Sequence, residues 1–244
     1  MRTPRIFTAQ TLSPGPLTLE PEPSRHIARA LRMRVGDAIR LFDGSGGEYS
    51  ASITQIDKRT VAVAIEAFHD VANESPLAVH LGIALSRGER FDWVIQKATE
   101  LGVASIHPLW TEHTGVKLND ERAARKHDHW LQVATSACEQ CGRNSIPTIA
   151  RPQQCGQWVA EVSAEVRLVL HTATPGENAS LQRDAAPTSV DVLIGPEGGL
   201  SEQEVETAIA AGFESLQLGP RILRTETAPV AALAIIQSAW GDLN

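Results

Sequence analysis

What most narrows the fold of this chain is a pair of glycine-bearing loops, each following a short apolar run and each leading into a helix. The first, Ile194-Gly195-Pro196-Glu197-Gly198-Gly199, ends the run Val190–Ile194. The second, Leu218-Gly219-Pro220-Arg221-Ile222-Leu223-Arg224-Thr225-Glu226-Thr227, ends the run Leu216–Leu218. Short runs that are largely apolar, broken only by Asp191 and Gln217, read as buried strands, which favours a parallel sheet. Ser201-Glu202-Gln203-Glu204 has the spacing of a capping box, and the helix it opens is expected to stop at Gly212, a left-handed cap. A second helix is expected from Thr227, with Pro229 in its first turn, where a missing N–H costs little. Strand, glycine loop and helix, twice over, predict an α/β sheet with a ligand crevice at the carboxyl ends of its strands.

The loops do not read as a dinucleotide site. The G-x-G-x-x-G spacing is absent, Pro196 removes a backbone donor, and Glu197 puts negative charge where a phosphate would sit. The first loop therefore suits a neutral or cationic ligand. The second carries Arg221 and Arg224 beside Glu226 and two threonines, so a polar or anionic partner is expected from that side. For either loop taken alone, glycines that merely close a tight turn are the plain alternative.

Upstream, the chain divides near a polar stretch, Val71 to Pro76, into a first domain over 1–72 and a second over 73–244. The first reads as short strands with turn punctuation: Arg5–Phe7, Ala38–Phe42, Tyr49–Ile56 and Val61–Ile65, with a turn at Ser13–Pro16 and a helix over Pro23–Met33. Strands at this spacing predict a small barrel. The second opens as strand, helix, strand (Leu77–Leu85, a helix from Phe91 to the stop at Gly102, Val103–Leu109), the parallel βαβ unit. A long helix over Glu121–Cys141, a short one around Trp158, a strand Val166–Leu170 leading to His171-Thr172, and a polar loop Thr174–Pro187 complete it.

Net charge is −7 over 244 residues, which argues against non-specific nucleic-acid binding, but residues 1–40 hold seven arginines, no lysine and three acids. An arginine-only basic segment on an acidic body points to a particular anionic partner, or else to an ordinary solvated face. Three cysteines are too few for a disulfide framework. Cys138-Glu139-Gln140-Cys141 has no second C-x-x-C, so no metal is expected. No apolar run is long enough to span a bilayer, and a cytoplasmic protein is the expectation.

GPEGG followed by LGPRILRTETA resembles the C-terminal signature of the SPOUT methyltransferases, and more narrowly the bacterial 16S ribosomal RNA uridine-N3 methyltransferase family. Arg90–Val103, Glu139–Arg143 and His26–Gly44 also resemble that family, so the likeness spans both domains; Glu112-His113-Thr114 departs from it, lacking an arginine after the glutamate. The resemblance implies a PUA-like RNA-binding β-barrel followed by an α/β trefoil-knot domain that holds S-adenosylmethionine as methyl donor. It implies that Gly195, Gly198, Gly199 and Gly219 grip the cofactor through backbone, with Leu170, Leu218, Ile222 and Leu223 as apolar contacts. His171, Glu197 and Thr225 would complete that wall. Arg224 and Glu226 are the candidates for chemistry: the arginine to stabilise charge building on the uracil oxygens, the acid (or Glu197) as general base, unless both acids cap loop amides. Arg5, Arg32 and Arg34 match positions that would face RNA, and Arg143 reads as an RNA contact or a helix-end partner. The implied partners are 16S rRNA in the small ribosomal subunit and a second copy of the chain. Residues Pro229 to Trp240, apolar nearly all round, suit a helix buried on more than one face. Two other readings stand beside this one: an inactive ribosome-associated RNA-binding protein of the same fold, and a nucleotide-binding oxidoreductase.

Overall fold

The computed structural model describes residues 3–116, 118–171 and 178–243. Arg2 of the basic segment, Thr172, and the start of the polar loop from Thr174 lie outside the described residues. The chain forms two compact units: one of Met1–Glu74 with Thr135–Ile146, the other of Ser75–Ala134 with Pro147–Asn244. The expected boundary near residue 72 thus misses a return of the chain to the first unit.

In the first unit β1 (Arg5–Phe7), β2 (Gly15–Thr18), β3 (Ala38–Phe42), β4 (Glu48–Ile56) and β5 (Val61–His69) form one sheet in the order β1-β3-β4-β5-β2. β1 runs parallel to β3 and the other pairs are antiparallel. Four of these strands place Ile6, Ile39, Leu41, Ala51, Ile53, Val61, Val63 and Ile65 in one buried core, with Leu17 of β2 packed against it. Gly15–Thr18, expected as part of a turn, pairs along β5; Pro16 is tolerated because β2 is an edge strand.

The helix expected over Pro23–Met33 is shorter and wider. α1 spans Pro21–Arg25, both prolines sitting where no N–H is needed, and His26–Ala30 continue as a π-helical turn in which Leu31 N–H donates to His26 O at 3.0 Å. Widening keeps Ile27 fully buried and turns Leu31 outward, against its expected place on the apolar side. Arg32 ends the turn at φ 53°, in the left-handed region that non-glycine residues seldom adopt.

The second unit is an all-parallel sheet in the order β12-β10-β11-β6-β7-β8, with β9 also paired to β7. Its strands are β6 (Ala78–Ala84), β7 (Ser105–Trp110), β8 (Thr148–Ile149), β9 (Gln153–Gln154), β10 (Val166–Leu170), β11 (Ser189–Ile194) and β12 (Glu214–Leu216). The chain runs outward from β6 through β7 in one direction and returns through β10 and β11 on the other side, so β6 and β11 meet at a switch in strand order. α2 (Arg90–Glu100) buries Phe91, Val94, Ile95 and Ala98. α3 (Asp120–Cys141) begins in the second unit and ends in the first. α4 (Cys155–Glu161) sets Trp158 in a core with Leu109, Val169, Leu193 and Phe213. α5 (Glu202–Ala210) has the expected capping box, with both halves of the Ser201–Glu204 exchange made. α6 (Thr227–Trp240) buries Leu233, Ile236 and Trp240, while its Gln237, also buried, accepts from Ser75 at 2.7 Å and donates to Leu101 O at 3.0 Å. Among the described residues no helix is long and apolar enough to cross a membrane.

Candidate active site

Three neighbouring strand ends build the principal cavity of the second unit. β10 leads to His171, β11 to Gly195 and β12 to Gln217, and the loops that follow enclose about 640 Å³, a volume typical of small-molecule sites. Leu170, His171, Gly195, Glu197, Gly198 and Gly199 line it from the first two strand ends. Leu218, Gly219, Ile222, Leu223 and Thr225 line it from the third, with Arg224 and Glu226 on the same loop. The structure therefore gathers around one cavity every residue that the sequence assigns to cofactor or chemistry in this domain.

The first loop is narrow by construction. A Cβ on Gly195 would stand 2.8 Å from Leu200 N and 3.1 Å from Gly199 C, so any larger residue would push the loop off its course. The need arises from the loop's own close packing. Gly219 is different: nothing lies within 4 Å of where its Cβ would be, but its φ of 82° strains any other residue.

Several side chains act otherwise than the sequence suggests. Glu197 does not present an isolated negative charge, because Arg90 Nη1 stands 2.7 Å from its Oε1, with each side chain about half exposed (46% and 47%). Arg90 lines the cavity too, and sequence reasoning missed it; it lies 107 residues from its acid, and only the charged strand end Ser86–Arg90 marks it. Ile222, expected to be an apolar contact, lines the cavity yet is 95% exposed. β12 stops at Leu216 rather than Leu218, as Gln217 N–H turns to the Asn178 side chain at 2.7 Å. Glu226 occupies the N-cap position of α6 without a side-chain capping bond. The segment Glu112-His113-Thr114 braces the first loop: His113 Nδ1 lies 3.1 Å from Gly199 O, and Glu112 N–H donates to Glu204 at 2.9 Å.

Of the four arginines assigned to RNA, the first unit exposes two. Arg32 and Arg34 are exposed, as are Arg25 and Arg29 before them. Arg5 is not. It is 7% exposed, and its guanidinium donates to Glu48 at 2.9 Å, Cys138 O at 2.9 Å, Arg143 O at 3.0 Å and the Asn144 side chain, while stacking over Phe42. Four of its five donors are thereby used within the protein. Arg143 is likewise buried and pairs with Glu74 at 2.6 Å. Both are corrections to the expected RNA contacts: a guanidinium buried among carbonyls and carboxylates ties segments together and leaves little for a phosphate. Cys138 and Cys141 are free thiols, and burial pushes Cys138 up to about 12.

Residues 73–237 match the family described as RNA methyltransferase domain, and residues 19–66 match the RNA methyltransferase PUA domain. The parallel sheet with its glycine-lined cavity, joined to a PUA-like unit, defines a SPOUT-type RNA methyltransferase. A ribosomal RNA small subunit methyltransferase E from Buchnera aphidicola is 34% identical, the match covering 100% of this chain and 99% of that one. A protein from Legionella pneumophila solved with the bound cofactor SAM is 42% identical, with a TM-score of 0.93 and full coverage of both chains. A ribosomal RNA small subunit methyltransferase E from Neisseria gonorrhoeae, bound to S-adenosyl methionine, is 37% identical with a TM-score of 0.92, again over both full lengths. This chain belongs to the ribosomal RNA small subunit methyltransferase E family.

Proposed function

We propose that this protein transfers a methyl group from S-adenosylmethionine to N3 of a uridine in 16S ribosomal RNA. The observation that carries the reading is the convergence of three strand-end loops on one cavity, in a chain whose relatives are solved with that cofactor. The residues present fit it. The bare backbone of Gly195, Gly198 and Gly199 along the cavity and the apolar walls from Leu170, Leu218 and Leu223 suit an adenosine, and the volume admits the whole molecule. When bound, S-adenosylmethionine supplies a methyl group already activated by its positive sulfur.

The protein then has two tasks. One is alignment, which at best contributes about 7–11 kcal/mol. The other is the N3 proton, whose loss is unfavourable at neutral pH. Glu226 lines the cavity with no capping bond to occupy its carboxylate, whereas Glu197 is paired with Arg90, so Glu226 is the better general base. Arg224, exposed on the same loop, is suited to stabilise charge on the uracil oxygens. The uridine must leave any stack to reach these groups. Exposed Arg32 and Arg34, beside Leu31 and Val35, form the RNA-facing surface of the first unit in this reading. The outward part of α6, where Ile235 is 39% exposed beside half-buried Ala231 and Ala234, is read as the contact with a second copy of the chain; light scattering tests it.

The decisive experiment supplies tritiated S-adenosylmethionine and small-subunit RNA, then digests the product to nucleosides. Label in 3-methyluridine is expected. Label on another nucleoside overturns the position, and no label in RNA overturns the activity.

A further inference from the structure

The acids and arginines that line the principal cavity fall into two sets. Arg221, Arg224 and Glu226 stand on the loop after β12 and make no ion pair among the described residues. Arg90 and Glu197 come from the segments that follow β6 and β11, neighbours in the sheet, and pair with each other at 2.7 Å. Both are held from behind. Phe91, Val94 and Ile95 bury the inner face of α2, of which Arg90 is the first residue. Gly199 N–H, donating to Pro196 O at 2.9 Å, closes the turn that carries Glu197. The two side chains themselves are half exposed, and an ion pair so open to water contributes little to folding.

The pair also leaves most of its bonding capacity unused. A guanidinium has five N–H donors and a carboxylate two accepting oxygens. Arg90 Nη1 donates to Glu197 Oε1, so the other donors of Arg90, and Glu197 Oε2, have no partner among the described residues. A positive and a negative group fixed side by side suit a ligand end that carries both charges. A lone anion would be repelled by Glu197 and a lone cation by Arg90, offsetting whatever attraction the other supplied. S-adenosylmethionine has an end of the required kind, with a carboxylate and an ammonium on one carbon. Its adenosine has different needs, met by the glycine and leucine walls.

We propose that Arg90 and Glu197 together hold the amino-acid end of S-adenosylmethionine, the guanidinium taking its carboxylate and the acid its ammonium. The inference rests on the reading that this cavity binds that cofactor. A guanidinium edge matches a carboxylate with two parallel donors, and such charge-assisted bonds are stronger than neutral ones. Each protein charge then has the other and one ligand charge as neighbours, so signs alternate around the site.

The test is calorimetry on the full chain without RNA, using ligands that differ at that end alone. S-adenosylhomocysteine and 5′-methylthioadenosine are both neutral at sulfur, but only the first has the amino acid. Arg90→Gln and Glu197→Gln should each weaken S-adenosylhomocysteine by about tenfold, as for a half-exposed hydrogen bond to a charge. Both should leave 5′-methylthioadenosine within about twofold. Decarboxylated S-adenosylmethionine keeps the ammonium and loses the carboxylate. It should lose about tenfold in Glu197→Gln and bind Arg90→Gln no more weakly than the wild type. The wild type alone should bind it about tenfold more weakly than S-adenosylmethionine, an arm that stands even if a variant misfolds. Equal weakening of S-adenosylhomocysteine and 5′-methylthioadenosine would mean that the pair only shapes the loop, and overturns the proposal. Wild-type affinities that ignore the carboxylate overturn it too. No binding of S-adenosylmethionine or S-adenosylhomocysteine by the wild type would sink the cofactor reading itself, and the proposal with it.

Discussion

The loop after β11 and the loop after β12 face each other across one cavity but are held in different ways. Around Gly195–Leu200, Gly199 N–H donates to Pro196 O, Arg90 holds Glu197, His113 meets Gly199 O, and Glu204 bonds both Ser201 N–H and Glu112 N–H. Around Gln217–Glu226 the bonds gather at the ends: Asn178 takes Gln217 N–H, and Arg224 O accepts from Thr227 and Ala228. Between those ends Arg221, Ile222 and Arg224 stand in solvent. One loop has its shape fixed by the protein, as a backbone binding surface needs. The other presents side chains, as a surface that meets a second substrate needs.

If that division is right, the largest effect should come from side chains of the second loop. Arg224→Ala and Glu226→Gln are expected to lower methyl-transfer kcat by about 10²–10³-fold, with S-adenosylmethionine affinity by calorimetry changed by no more than about threefold. Equal losses in affinity and turnover would erase the distinction between the loops. Next in size, Gly195→Ala should weaken S-adenosylmethionine binding by about tenfold or more, roughly 1.4 kcal/mol, because its Cβ meets Leu200 N. Retained affinity in that variant would mean that the first loop is not rigid.

Smaller again, Glu204→Ala removes the capping box and the bond to Glu112, and should cost about 1–2 kcal/mol of stability by denaturant titration. The smallest effect is expected at Ile222: with its side chain 95% exposed, Ile222→Ala should alter stability by less than about 0.5 kcal/mol. A larger loss there would show that the second loop folds onto the protein in solution.

What could be read from the sequence was local. The Ser201–Glu204 exchange is three residues long, Val166–Leu170 is bounded by polar residues on both sides, and both glycine loops carry their own turn chemistry. Residues whose role depends on distant partners were misread or missed. Arg5 looks like a free cation until Cys138, Arg143 and Asn144 fold back onto it. Arg90 and His113 gain meaning only through Glu197 and Gly199. The π-helical turn was hidden for another reason: Ile27 and Leu31 have the spacing of one helical face, and only the widened turn separates them.

The return of Thr135–Ile146 to the first unit has a consequence for how the chain matures during synthesis. Domains commonly fold in order as they leave the ribosome, at about 5–20 residues per second. Here the amino-terminal strands emerge early, bringing Glu48 to Arg5, but the two carbonyls and the Asn144 side chain that receive the rest of the guanidinium arrive only once synthesis has passed residue 144. For several seconds by that rate, the nascent first unit carries a guanidinium destined for burial with Glu48 available to it but its other three acceptors still unmade. A nascent chain arrested before Asn144 should therefore stay open to protease, and one released beyond Ile146 should not.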